Sequence, residues 1–167
     1  MGKNIPRCSE CGRLIYRDNS CVIDSKIVCF SCIYGELRPF EIYPIGVVRN
    51  KLKANKDDFG LTGPKGISYI DLIPSQKRFM HKLNEERDLT VVYYLHKADS
   101  VKSIFKRGLD GKEVGVFASR TPHRLSKIGI QDVTLIGIKG MRLIVEGLDA
   151  IDSTPVLDIK VKWNVSG

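Results

Sequence analysis

GVFASRTPHRLSKIGIQDVTLIGIKGMRLIVEGLDAIDSTPVLDIK, residues 115–160, is the stretch from which the fold can be read. An apolar run over 114–118 breaks into a basic loop that carries Arg120, His123 and Arg124. Two segments with alternating apolar residues, 131–139 and 141–146, then meet at Lys139-Gly140, a dipeptide suited to a tight hairpin turn. An acidic loop with Asp149 and Asp152 follows. After it come Pro155 and a further strand over 156–162 that carries Asp158 and Lys160. A cationic loop and an anionic loop hung on strand ends form the layout of a polar-ligand site, although solvated turn charges produce the same pattern.

Working outward, more strands are expected at 42–48, 67–73, 89–95 and 114–119. The segment LTVVYYL (89–95), β-branched and aromatic, suits a buried strand closed by His96. Phe79, Met80 and Leu83 recur at helical spacing after Pro74, which predicts a short amphipathic helix over 74–87. The polar, glycine-bearing segment 51–66 reads as a mobile loop. The basic segment 98–111 reads as a short helix or an extended RNA-facing loop. Seven or so short strands with one minor helix define a mainly β protein, built on a closed or nearly closed antiparallel barrel. No Gly-x-Gly-x-x-Gly turn links a strand to a helix, so any nucleotide-like cofactor is not held on a doubly wound fold.

All five cysteines lie in the first 32 residues. Cys8-x2-Cys11 and Cys29-x2-Cys32 are separated by 17 residues, the spacing of a four-cysteine zinc site. Each pair can sit on a tight turn that aims both thiolates at one tetrahedral ion, and Gly12 gives the first turn a permissive backbone. Two short strands, 13–18 and 21–29, are expected to join near residues 18–20, and Cys21 is expected to pack on a strand. The organisation that follows is a zinc ribbon over 1–36 and a barrel domain over 37–167. So small a ribbon buries little apolar surface, and bound metal would supply most of its folding energy. It is either purely structural or a grip on nucleic acid or protein, and Arg7, Arg13, Arg17 and Lys26 lean toward RNA.

The chain has 167 residues, enough for one domain with a true core and a small appendage. Lysine and arginine total 27 against 19 acids, a net charge of +8 that favours a polyanionic partner. No apolar run approaches a membrane span, and MGKNIPRC is not a secretory signal, so a soluble cytoplasmic protein without membrane attachment is expected.

Residues 42–163 resemble the TsaA-like tRNA methyltransferases, the TrmO family. The likeness is carried by IGVVRNKLK (45–53), VGVFASRTPHR (114–124), KIG (127–129) and GLDAIDSTPVLDIK (147–160). The family's corresponding pattern is IGVVRSPYK, then GVFATRSPHRPNPIG, then GLDLLDGTPVLDIKPY. The resemblance implies a homodimeric β-barrel that uses S-adenosylmethionine to methylate N6 of threonylcarbamoyladenosine beside the tRNA anticodon. It assigns the cofactor to Arg120, Arg124 and the GLDxxD loop, Asp149, Ala150, Ile151 and Asp152. Arg120 would take the cofactor carboxylate in a two-pronged contact, and the loop carboxylates would hold ribose hydroxyls or the amino group. Methyl transfer is an in-line displacement in which positioning dominates. The proton lost from N6 needs a base, for which Asp158 is the candidate. His123 is a second catalytic candidate on the basic loop, where it and Arg124 would also meet RNA phosphates or the threonyl carboxylate.

Loops depart from the family more than strands do. Leu125-Ser126-Lys127 replaces Pro-Asn-Pro, Asn50-Lys51-Leu52 replaces Ser-Pro-Tyr, Arg87-Asp88 replaces Ser-His, and Ser153 replaces Gly. The alternative reading is therefore a non-catalytic RNA- or protein-binding adaptor that keeps the barrel and has lost or altered the cofactor site.

Overall fold

The computed structural model describes residues 5–16, 19–52 and 66–162. In chain order these form β1 (Ser20–Ile23), β2 (Lys26–Cys29), α1 (Phe30–Tyr34), β3 (Gly46–Arg49), β4 (Ile67–Leu72), β5 (Asp88–Tyr94), β6 (Ile104–Lys106), β7 (Glu113–Gly115), β8 (Ile128–Lys139), β9 (Arg142–Glu146) and β10 (Pro155–Val161). Two compact units result. Met1–Glu41 and Ala98–Ser126 make one; Ile42–Lys97 and Lys127–Gly167 make the other. Segment 98–126 thus associates with the cysteine-bearing residues, a grouping that a single cut after residue 36 does not describe. Among the described residues no helix is long and apolar enough to cross a membrane.

The second unit is the expected barrel, closed in the order β10-β3-β4-β9-β8-β5 with every pair antiparallel. Alternation along the strands explains it. Leu89, Val91 and Tyr93 of β5, Leu143 and Val145 of β9, and Ile70 and Leu72 of β4 all point into one core, where Val48, Val133, Leu135 and Val156 join them. Closure leaves no unpaired edge within this sheet. Gly140, at φ 63, supplies the left-handed residue that the two-residue loop between β8 and β9 requires.

Two family-pattern glycines owe their place to crowding. A Cβ on Gly46 would stand 2.6 Å from the Asp71 carbonyl oxygen across the β3–β4 pair. A Cβ on Gly129 would stand 2.4 Å from the ring of Tyr93, its cross-strand partner. The Tyr93 ring lies against that glycine, and its hydroxyl donates to the Asp149 carbonyl at 3.0 Å.

Several local expectations need correction. The helix over 74–87 is two 3-10 turns, Pro74–Phe79 and Leu83–Glu85, because Lys82 between them sits at φ 61 and interrupts any continuous helical ladder. Met80 and Leu83 still pack on the core, whereas Phe79 is exposed. The strand over 114–119 ends at Gly115 and passes into a 3-10 turn, Val116–Ala118. The strand over 42–48 starts only at Gly46. Segment 98–111 is neither helix nor simple loop, since β6 pairs antiparallel with β7. Most of the loop expected at 51–66 lies outside the described residues.

In the first unit, β1 and β2 form a hairpin whose turn is Asp24-Ser25, not residues 18–20. Both turn residues are left-handed, at φ 47 and 65, as a type I′ connection demands. Outside glycine that conformation costs about 1–2 kcal/mol per residue, so the Asp-Ser pair is a local strain held by its surroundings. Residues 13–16 contribute one isolated bridge, Arg7 to Leu14, in place of a strand. The buried cluster here is only Cys8, Ile15 and Val28.

Gly129→Ala should overpack the β5–β8 seam and displace the Tyr93 ring. A loss of about 1–3 kcal/mol is expected, read as a lower urea midpoint with unchanged slope.

Candidate functional site

Four sulfurs converge in the first unit. The Sγ atoms of Cys8, Cys11, Cys29 and Cys32 all lie within 4.8 Å of one another. Cys8 and Cys32 are 3.9 Å apart, and Cys11 and Cys29 are 3.8 Å apart. A tetrahedral zinc with Zn–S bonds of about 2.3 Å would set its ligands about 3.8 Å apart, so the donor set and its spacing fit such an ion. The Cys29 amide donates to the Cys8 sulfur at 3.3 Å. Backbone donors at Cys11 and then Cys29 draw the Cys8 thiol down to about 6, while hydrogen bonding with Cys29 and Cys11 pushes Cys32 up. Four thiolate donors this close together repel one another, and a bound dication would neutralise that repulsion. Cys21 lies on β1 outside this group, its sulfur directed at the Val22 carbonyl.

In the barrel unit, Asp149, Ala150, Ile151 and Asp152 form the connection from β9 to β10. Leu148 and Ala150 are buried and root this loop in the core. The Tyr93 hydroxyl holds its Asp149 carbonyl; burial first, and the Asp149 charge second, push that phenol up to about 12, so it remains a donor. The Asp152 carboxylate accepts the Asn50 amide at 3.1 Å and the Ser153 hydroxyl at 2.8 Å, with an Arg49 nitrogen 3.9 Å away. The Ser153 hydroxyl, then the Asn50 amide, hold Asp152 below the usual carboxylate range. The result is a loop whose backbone is held at Asp149 and Ala150 and whose Asp152 carboxylate is fixed in place.

Asn50 is the residue that sequence reasoning missed. It counts as a departure from the family pattern, yet it anchors the loop. Its Nδ2 donates to the buried Ser68 hydroxyl at 3.0 Å and to the Ala150 carbonyl at 2.7 Å, and its Oδ1 accepts the Leu52 amide at 3.0 Å. The last bond is an Asx turn, and an asparagine directly after a strand is the one sequence signal that could have exposed it.

Two cavities border this loop. One of about 400 Å3 is lined by Asp88, Gln131, Asp132, Glu146, Asp149 and Lys162 among others. A second of about 270 Å3 is lined by Asn50, Leu52, Ser68, Tyr69 and Leu148 among others. The larger has the volume of a small-molecule site and a carboxylate-rich wall, which suits a ligand bearing cationic and hydroxyl groups. Asp158 stands on β10 beside a bulge; its Oδ1 accepts the Ile159 amide at 2.9 Å and its Oδ2 lies 2.5 Å from the Lys160 ammonium. His96 follows β5, with its Nδ1 3.5 Å from the buried Thr154 hydroxyl; burial, then the Lys97 charge, lower its basicity.

Arg120, His123 and Arg124 belong to the first unit, on the loop after the Val116–Ala118 turn. The Arg124 guanidinium donates to the carbonyls of Ser119 at 2.6 Å, Thr121 at 3.0 Å and Val116 at 3.4 Å, so it staples its own loop. His123 Nδ1 lies 2.8 Å from the Ser100 hydroxyl. Arg120 is exposed, and no hydrogen bond or ion pair occupies it among the described residues. The structure therefore groups the predicted residues into three sets, the four cysteines, the basic loop and the acidic loop, while Asp158 stands separately on β10, opposite Val92 of β5 and beside Lys160.

Known proteins are similar to this chain in sequence and fold. A sequence profile described as the tRNA-methyltransferase O N-terminal domain matches residues 60–164. The S-adenosyl-L-methionine-binding protein of Archaeoglobus fulgidus is 32% identical over 123 residues, covering 70% of this chain and 85% of that protein. A tRNA (adenine(37)-N6)-methyltransferase of Mus musculus is 46% identical over 52 residues, 31% of this chain and 12% of that protein. The crystal structure of TrmO from Pseudomonas aeruginosa superposes with a TM-score of 0.59 at 28% identity, covering 75% of this chain and 57% of that one. The closed barrel is thus one shared with an S-adenosylmethionine-dependent methyltransferase class. Within it, the chain belongs to the tRNA-methyltransferase O family, and it spans little more than half of the solved TrmO chain it matches. The profile starts after the four cysteines, which it leaves unassigned.

The pKa of Asp152 is lowered in the folded protein, so its contribution to stability is present above the unfolded value of about 3.9 and is lost as pH falls through the folded value. Asp152→Asn should be less stable than the parent at pH 7, and the gap should narrow as pH falls through the lowered folded pKa, as read by urea midpoints over an acid pH series.

Proposed function

We propose that the protein is an S-adenosylmethionine-dependent tRNA methyltransferase that acts on N6 of threonylcarbamoyladenosine beside the anticodon. The observation that carries this reading is the acidic loop, locked by Asn50 and Tyr93, on the wall of a cavity of about 400 Å3. When bound, the cofactor supplies a methyl group on a cationic sulfur. Asp149 offers a carboxylate to its amino group or its ribose hydroxyls, and Asp152 is oriented for the same kind of contact by Asn50 and Ser153. Ala150 and Ile151 contribute loop backbone, the first already fixed through its carbonyl.

Arg120, exposed and unpaired among the described residues, is suited to a two-pronged grip on a carboxylate. Arg124 keeps that loop in shape. His123 and Asp158 are the residues proposed to handle the N6 proton, with Asp158 as the base. The net charge of +8 favours a tRNA partner, and the family likeness favours a cytoplasmic homodimer.

Cys8, Cys11, Cys29 and Cys32 are proposed to hold one structural zinc ion as thiolates. Metal analysis of the purified chain should find about one zinc per protomer, and Cys29→Ser should lose it.

Calorimetric titration with S-adenosylmethionine tests the main reading. The zinc-loaded protein should bind saturably, and Arg120→Ala and Asp149→Ala should each weaken binding about tenfold or more. Equal affinity in both variants would overturn the site. A folded protein that binds tRNA with steep salt dependence but gives no heat with the cofactor would be an adaptor on the same barrel.

A further inference from the structure

The ribbon hairpin grips segment 98–126 through one carboxylate. Asp24, in the turn between β1 and β2, accepts the Ser103 amide on both oxygens, at 3.0 and 3.3 Å, and also accepts the Ser103 hydroxyl. The Asp24 amide donates to the Val101 carbonyl at 3.1 Å, and Ile23 bridges to the buried Val101 in parallel fashion. These residues are about eighty positions apart in the chain, yet they lie within one compact unit.

The next bonds lead to the basic loop. The Ser103 carbonyl accepts the Val116 amide at 3.0 Å, where the turn that opens the loop begins. The Lys102 amide donates to the His123 carbonyl at 3.1 Å, and the Ser100 hydroxyl meets His123 Nδ1. Both ends of the loop that carries Arg120 therefore hang on residues 100–103, which in turn hang on Ile23 and Asp24. At the other end of the hairpin, β2 terminates in Cys29 of the sulfur cluster. The turn that presents Asp24 holds two non-glycine residues in the left-handed region, a local strain of the kind retained where a side chain must be aimed.

We propose that Asp24 is a positioning residue for the methyl transfer, through which a metal bound at the four cysteines orders the loop carrying Arg120, His123 and Arg124. The ribbon then acts as a clamp on that loop. The role in transfer rests on the function proposed above, whereas the coupling itself rests only on the contacts within the first unit.

The test is hydrogen exchange by mass spectrometry on the full-length, zinc-loaded protein, paired with cofactor titration. In Asp24→Ala, zinc content and the protection of barrel strands should stay at parent levels, while exchange in peptides 100–103 and 114–124 rises about tenfold. Cofactor affinity should fall with it. Asp24→Asn keeps an oxygen for the Ser103 amide and should restore part of both. Parent protein stripped by a chelator should show the same rise over 114–124. Unchanged protection of 114–124 in both Asp24→Ala and the stripped protein would overturn the coupling. Should Asp24→Ala fail to retain zinc, Ser103→Pro decides, since it removes both the amide and the hydroxyl that Asp24 accepts and leaves the ribbon residues unchanged: faster exchange over 114–124 supports the clamp, and parent-like exchange overturns it. If the parent itself binds no cofactor, the proposed function fails while the exchange data still decide the coupling.

Discussion

Closure of the barrel through β10 is the constraint on which the rest depends. This strand pairs with β5 on one side and with β3 on the other, and Val156 enters the core between them. An open sheet of these short strands would expose two edges and half of its apolar face. Because β10 must begin where the β9 connection ends, closure also fixes the loop Asp149–Asp152 against β3 and β5. Asn50 sits just past β3 and Tyr93 lies on β5, so the two residues that pin the loop are placed by the same hydrogen-bond ladder. Fold and site are one construction here: the loop backbone and the Asp152 carboxylate are held in a set geometry before any ligand arrives, which lowers the ordering cost of binding.

Much of the barrel was legible in the sequence because its signal is local. Alternation at 67–73, 89–95, 131–139 and 141–146 marks faces, and the barrel follows from their number and spacing. Glycines 46 and 129 could be seen as part of a motif, but their reason is contact across strands, with the Asp71 carbonyl and the Tyr93 ring. What escaped is what depends on distant partners or on a single backbone angle. Apolar spacing over 74–87 is genuine and places Met80 and Leu83 on the core, yet Lys82 at φ 61 prevents a continuous helix. Asp24 reads as a turn charge until Ser103 is found beside it. The CxxC pairs, by contrast, carried enough chemistry in their spacing to bring four sulfurs together without knowledge of the hairpin.

The two compact units divide the candidate chemistry between them. Acidic, neutral and aromatic groups that can hold a small cationic ligand belong to the barrel unit, while the exposed Arg120 and its stapled loop belong with the cysteines. The family profile covers both loops but starts at residue 60, so the cysteines and Asp24 lie outside the matched span. Their meaning comes from contacts alone. The ribbon's own buried cluster is small, and a structural metal is the physically reasonable source of its order. Through Asp24 that order extends to a segment that contains no cysteine.

The most direct test of the account is to incubate the zinc-loaded protein with tRNA and S-adenosylmethionine bearing a trideuterated methyl group, then digest the RNA and weigh its nucleosides. One trideuteromethyl group is expected on the threonylcarbamoyl-modified adenosine and on no other nucleoside. Unlabelled RNA from a folded, metal-loaded protein, with modified tRNA present, would contradict it.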